Sequence, residues 1–199
     1  MADIWLMRHG AYEGHHRPGY HAPHEAALTP EGRDQVRRSL PLPDGITAIV
    51  TSPVLRARQT AALVAHLTGL PIVATSGLLA EWRAPSIVLG RTSDTYPPAY
   101  RAWRARRLVN PTLRCEDGES LTDLHARARV CAAFLHHTAQ KHGPVLAVSH
   151  TLLLGVLTHI REGPAAFTTA ARTPWQFAER HPYTPWRPSS PERSRRLRR

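Results

Sequence analysis

Apolar residues cluster along this chain in two distinct rhythms. Four short runs are apolar almost without interruption and rich in Val and Ile: residues 4–7, 46–51, 71–74 and 145–149. Runs of this length and composition predict strands buried on both faces, as in a parallel sheet covered by helices. Between them the spacing changes. Leu121, Leu124, Ala128, Cys131 and Leu135 recur at alternating steps of three and four, which makes one face of a helix over about 120–141. Thr29 and Pro30 open an earlier helix, Thr29 as cap and Pro30 at the first helical position. Ser52 and Pro53 repeat that signal for a helix running to about Thr68 and stopped by Gly69. Another helix follows His150, and residues 100–108 form one with arginines on the wet side. The alternation predicts an α/β fold: a three-layer α/β/α sandwich with a mostly parallel central sheet. Residues 164–180 read as a last helix anchored by Phe167, Trp175 and Phe177. Residues 181–199, rich in Pro, Ser and Arg, read as a flexible tail, so the domain is drawn as 1–180.

Composition narrows the class. A chain of 199 residues suits one domain with a real core. It has no apolar run of about 18 residues and no basic-then-apolar leader, so no membrane span is expected and a cytoplasmic location is. Cys115 and Cys131 make no disulfide framework, and Cys131 falls on the apolar helix face. The net charge of +11 suggests nucleic acid, but its distribution argues against that. Lys141 is the single lysine among 26 basic residues, and the eight arginines after residue 171 carry more than half of the excess. Any nucleic-acid contact is therefore expected to be weak and confined to the tail.

The unusual polar residues sit at strand ends. Arg8 and His9 end the first strand, Ser52 the second, and His150 the strand 145–149; Arg56 lies just behind Ser52. In open α/β sheets ligands bind beyond the carboxyl ends of the strands. Two guanidiniums and two imidazoles beside helix N-termini suit a phosphoryl group. A neutral imidazole nitrogen aimed at phosphorus can act as a nucleophile, and nearby guanidinium charge lowers its pKa. Gly10 is expected to let the chain turn without obstructing the incoming group.

These motifs are familiar. Leu6-Met7-Arg8-His9-Gly10 resembles the Arg-His-Gly signature of the histidine phosphatase superfamily, which includes phosphoglycerate mutases. Leu28-Thr29-Pro30-Glu31-Gly32 with Gln35, the nine residues from Ser52 to Thr60, Gly118-Glu119-Ser120 and Val148-Ser149-His150 resemble its later segments in the same order. The resemblance implies His9 as the phosphorylated nucleophile, Arg8 and Arg56 as phosphate clamps, and His150 as a second phosphate-pocket imidazole. It implies Glu81, in Leu78-Leu79-Ala80-Glu81-Trp82, as general acid and then base, with Asp117 and Glu119 as competitors. The Gly-Glu-Ser segment serves structure in the family, and Ser120 fits a helix cap.

Two departures matter. Glycine usually follows the second histidine, where this chain has Thr151; its backbone N–H still suits phosphate. The mutase branch continues its signature with Glu or Gln and then Ser, where this chain has Ala11-Tyr12. A phosphatase acting on a small phosphomonoester, without cofactor, is therefore the favoured expectation. Phosphoryl transfer of the mutase type, a protein phosphohistidine phosphatase and a non-catalytic phosphate-binding module are the alternatives. The loop with His15, His16, His21 and His24 matches no standard zinc spacing, so no metal is expected. It is expected to border the pocket, with Tyr12, His15 and Arg17 as contacts.

Overall fold

The computed structural model describes residues 3–184. In chain order the elements are β1 (Ile4–Arg8), α1 (Pro30–Arg38), β2 (Ala48–Thr51), α2 (Leu55–Thr68), β3 (Ile72–Thr75), α3 (Pro98–Arg106), α4 (Leu121–His142), β4 (Val145–Ser149), α5 (Thr151–Thr158), α6 (Ala166–Arg172) and β5 (Arg180–Tyr183). The strands form one sheet in the order β3-β2-β4-β1-β5, parallel except for β5.

Strand periodicity divides the core into two layers. Ile4, Leu6, Ala48, Val50, Val145 and Ala147 face α4, α5 and α6. Met7, Ile49, Leu146 and Val148 face α1 and α2, against Val36, Ala57, Ala61 and Val64. The result is the expected α/β/α sandwich. Its central strands are buried on both faces, which is why their sequences are continuously apolar. β3 departs from that expectation. It lies at the sheet edge, and Ile72 is 40% exposed.

Local signals account for three of the helix ends. The Thr29 hydroxyl accepts from Gly32 N at 3.0 Å and caps α1. Ser120 and Asp123 form a capping box at α4. Gly69 closes α2 in the left-handed region, at φ 74°. α2 itself begins at Leu55, not at Ser52-Pro53. The Ser52 hydroxyl accepts from Val54 N but is engaged elsewhere, in the site.

The C-terminal region corrects the sequence reading twice. The last helix is short, Ala166–Arg172; Phe167 and Trp175 are buried anchors, but Phe177 joins neither core layer. The domain does not stop at residue 180. His181, Pro182 and Tyr183 pair with Leu6, Trp5 and Ile4 of β1. β5 is an edge strand with two exposed residues and a proline, which edges tolerate, so its sequence carries no apolar run. A truncation meant to spare the domain must start after Thr184. The rest of the segment read as a tail lies outside the described residues.

Gly10 serves packing. A Cβ there would lie 2.4 Å from the Gly32 carbonyl oxygen, and one at Gly32 would lie 1.9 Å from the Ala11 carbonyl oxygen. The tip of β1 and the first turn of α1 thus meet backbone to backbone. Gly32→Ala is expected to cost about 3 kcal/mol or more, because neither backbone can yield without moving β1. Denaturant unfolding measures this, and a loss below about 1 kcal/mol would show the contact to be soft.

Candidate active site

Strand register assembles the site. Arg8 pairs with Ser149, and Thr51 with Val148. The next residues, His9, His150 and Ser52, therefore leave three neighbouring strands side by side. His9 N still donates to Ser149 O at 3.0 Å, and Ser52 N to Val148 O at 3.0 Å. The proposal from sequence requires the two imidazoles to meet. Their ring centroids lie 4.9 Å apart, with the planes at 62°.

His9 is 3% exposed, and its hydrogen bonds fix its tautomer. Nδ1 lies 2.7 Å from the Gly10 carbonyl oxygen, which can only accept, so Nδ1 carries the proton. Nε2 keeps its lone pair, facing Arg56 Nε at 3.3 Å. Burial holds the His9 pKa well below the usual histidine value, and the Arg56 charge lowers it further. His150 is fully buried, and the same cause comes first for its lowered pKa, followed by His9 and the two arginines. Its Nε2 meets the Ser52 hydroxyl at 2.8 Å, while Nδ1 is buried without a partner.

These two rings make stability depend on acid. Each is neutral in the fold and takes up a proton once unfolded, so below about pH 6.5 the unfolded chain binds more protons. Stability is expected to hold above about pH 7 and to fall below about pH 6.5, by up to about 1.4 kcal/mol per pH unit per ring. Denaturant titrations at a series of pH values check this; a flat profile down to about pH 5 would contradict neutral burial.

The cations are unusual in lacking partners. Among the described residues no carboxylate forms an ion pair with Arg8 or Arg56. Arg56 donates to the Pro23 carbonyl at 3.2 Å and lies over the Tyr12 ring. Arg8 donates to the Trp175 carbonyl and lies over the Phe177 ring, and its Nε is buried with no partner. Burial lowers both guanidinium pKa values. Two half-desolvated cations without a counter-charge favour a bound anion.

Glu81 reaches the site from the loop after β3. One carboxylate oxygen accepts from Trp82 N (2.9 Å) and Leu153 N (3.1 Å), the other from Leu152 N (3.2 Å). The acid therefore sits on the N-terminus of α5, the helix that His150 caps. Its loop is pinned from α4 by Arg127, which donates to the carbonyls of Leu78, Ala80 and Glu81. Arg127 is itself held by both oxygens of Glu119, at 2.8 Å each. Glu119 thus holds the residue that pins the Glu81 loop. Asp117 borders the cleft, but its carboxylate accepts from Ser86.

Arg8, His9, Arg56, Glu81 and Thr151 line one cleft of about 850 Å³, with His150 behind His9. Tyr12, His15 and Arg17 line it too, so the histidine-containing loop borders the pocket as expected. His21 lines its outer part, shares a hydrogen bond with the Tyr100 hydroxyl at 2.9 Å, and is lowered by burial to a pKa of about 4. No group of three or more His, Cys, Asp or Glu among the described residues is arranged to hold a metal ion. No helix among them is long and apolar enough to cross a membrane. The Thr151 hydroxyl is engaged at the cleft wall, where it accepts from Trp175 N at 3.1 Å.

Three residues take part that the sequence reading gave no role in the site: Ser52, Arg127 and Phe177. Ser52 had a signal, since it ends a strand as His9 does. Arg127 had a weaker one, standing beside the apolar stripe of α4. Phe177 had none, because its segment follows no period.

The family description of the histidine phosphatase superfamily, branch 1, matches residues 4–174. The chain belongs to this superfamily. A probable phosphoglycerate mutase of Citrobacter koseri is 32% identical over 163 residues, covering 79% of this chain and 73% of that protein. A mycobacterial glucosyl-3-phosphoglycerate phosphatase superposes with a TM-score of 0.67 at 25% identity, covering 89% of this chain and 87% of that one. The α-ribazole phosphatase of Shigella flexneri shares the fold, with a TM-score of 0.71 at 22% identity and coverage of 89% and 87%. This histidine phosphatase superfamily enzyme therefore has both phosphatases and mutase-named proteins among its kin.

Proposed function

We propose that the chain hydrolyses small phosphomonoesters through a phosphohistidine. One observation carries this reading: the bare Nε2 of a buried, neutral His9 lies between a guanidinium without a carboxylate and a second neutral imidazole. In the first step Nε2 attacks phosphorus, the N–P bond forms and the P–O bond to the alcohol breaks. Glu81, protonated at that point, gives its proton to the leaving oxygen. In the second step Glu81 takes a proton from water, whose oxygen displaces His9 from phosphorus. Arg8, Arg56, the His150 ring and the Thr151 backbone N–H hold the non-bridging oxygens, where charge builds in the transition state.

The cleft extends well beyond a phosphoryl group. Tyr96, Tyr100 and Phe167, with Arg104 and Arg107, line its outer part. Aromatic walls and cations stacked on them suit an organic phosphate whose alcohol portion carries a ring or an anionic group. The phosphatase likeness at 25% identity, to an enzyme named for glucosyl-3-phosphoglycerate, agrees with such a substrate. The mutase-named relatives favour a second reading, in which phosphohistidine passes its group to an alcohol instead of water. Ala11-Tyr12 after the signature weighs against it.

The test is phosphate release from a broad panel of phosphomonoesters, measured with chelator present, together with trapping of a phosphoenzyme by an alkaline detergent quench. Phosphate release with an acid-labile, base-stable phosphoenzyme supports the hydrolase. Phosphoryl exchange between alcohols without release supports the mutase reading. A wild type indistinguishable from His9→Ala across the panel would make the chain a phosphate-binding module.

A further inference from the structure

The side chain of Arg8 is held almost entirely by a segment that lies past the family match, which ends at residue 174. Its guanidinium donates to the Trp175 carbonyl through Nη1, and its carbon sits 3.8 Å from the centroid of the Phe177 ring. The backbone follows the same path. Arg8 N donates to Glu179 O at 2.9 Å, and Ala178 N donates to His9 O at 3.2 Å. To make this turn Ala178 adopts φ 58°, a left-handed conformation uncommon for a residue with a Cβ. The segment is fastened at its near end by Trp175 N, which donates to the Thr151 hydroxyl. A glycine at position 151 would have no such acceptor.

Phe177 is out of place as a core residue. It is half-buried, belongs to neither core layer, and has Arg8, His9, Tyr12 and His15 as its ring neighbours. An aromatic face under a guanidinium fixes the plane of that group while leaving its edges free to donate. One edge is taken by the Trp175 carbonyl. The Nε of Arg8 is buried and unpartnered, and the N–H groups of Nη2 remain as donors for a ligand oxygen.

We propose that Phe177 and Thr151 are positioning residues for the Arg8 clamp: the Phe177 ring sets the guanidinium plane, and the Thr151 hydroxyl fastens the segment that carries the ring. Thr151 thus has a task that the family's glycine cannot perform. This rests on Arg8 being a phosphate ligand, though not on turnover. Flexible arginines lose rotamer freedom when they grip an anion, and a preset plane removes part of that loss before phosphate arrives.

Calorimetric binding of inorganic phosphate to the full chain tests this without needing a substrate. Phe177→Ala and Phe177→Leu are each expected to weaken phosphate about three- to tenfold, whereas Phe177→Tyr keeps wild-type affinity because it keeps the aromatic face. Thr151→Val is expected to show a comparable loss, and Thr151→Ser to restore affinity. In an Arg8→Ala background Phe177→Ala should cause no further loss. Wild-type affinity in Phe177→Leu would reduce the ring to packing and overturn the proposal. So would losses from Arg8→Ala and Phe177→Ala that simply multiply. If Phe177→Ala does not fold, the Leu and Tyr variants carry the comparison. A wild type that binds phosphate but turns over nothing sinks the hydrolase reading and leaves this one standing. A wild type that binds no phosphate sinks both.

Discussion

His9→Asn is expected to reduce turnover at least about 10³-fold and to abolish the trapped phosphoenzyme, while the chain stays folded. Asparagine retains the nearer half of the imidazole. Its amide N–H can still donate to the Gly10 carbonyl, as His9 Nδ1 does at 2.7 Å. What disappears is the Nε2 lone pair that faces Arg56. No other side chain can substitute for it, since the second ring is engaged with Ser52 through its own Nε2. The measurement is kcat on the best substrate of the panel, with thermal unfolding as a control. Activity above a few per cent of wild type, in a folded variant, would remove His9 from the nucleophile's role.

The second large effect depends on the leaving group. Glu81→Gln is expected to lower turnover of alkyl phosphates by about 10²–10⁴, because an alkoxide cannot depart without a proton. With an aryl phosphate the departing phenolate needs little help. Formation of the phosphoenzyme should then stay near the wild-type rate, and its hydrolysis should slow for want of a base. The signature is a burst of phenolate followed by a slow phase, with phosphoenzyme accumulating. The substitution also carries a structural cost. Glu81 accepts three backbone N–H groups, and a glutamine must turn its own NH₂ toward one of them. A stability loss of about 1 kcal/mol is expected from that mismatch. Equal losses in the rate of phosphoenzyme formation for alkyl and aryl phosphates would show that Glu81 gives no proton to the leaving group.

The sequence was most legible where burial is total. β1, β2 and β4 are covered on both faces, so each is an unbroken apolar run, and the first polar residue after each run marks the site. Ser120, Thr29 and Gly69 were readable because helix ends have strong local chemistry. Ser52 misled for the same reason: it carries the chemistry of a helix cap but spends its hydroxyl on His150, and α2 starts three residues later. The seat of Arg8 was not legible at all. β5 and Phe177 are fixed by pairing with β1 and by a guanidinium, neither of which imposes a period on the chain. The reason for Gly10 was equally hidden, because a close backbone approach to Gly32 depends on two segments meeting in space.

The sheet order has a consequence for how this protein is made. β4 inserts between β1 and β2, so the first-synthesised strand of the pair waits for a partner that begins at Val145. His150, whose ring lies beside that of His9, is made 141 residues later. Pairings so distant in sequence form late and slowly. Until β4 docks beside β1, the proposed nucleophile therefore has no chamber around it.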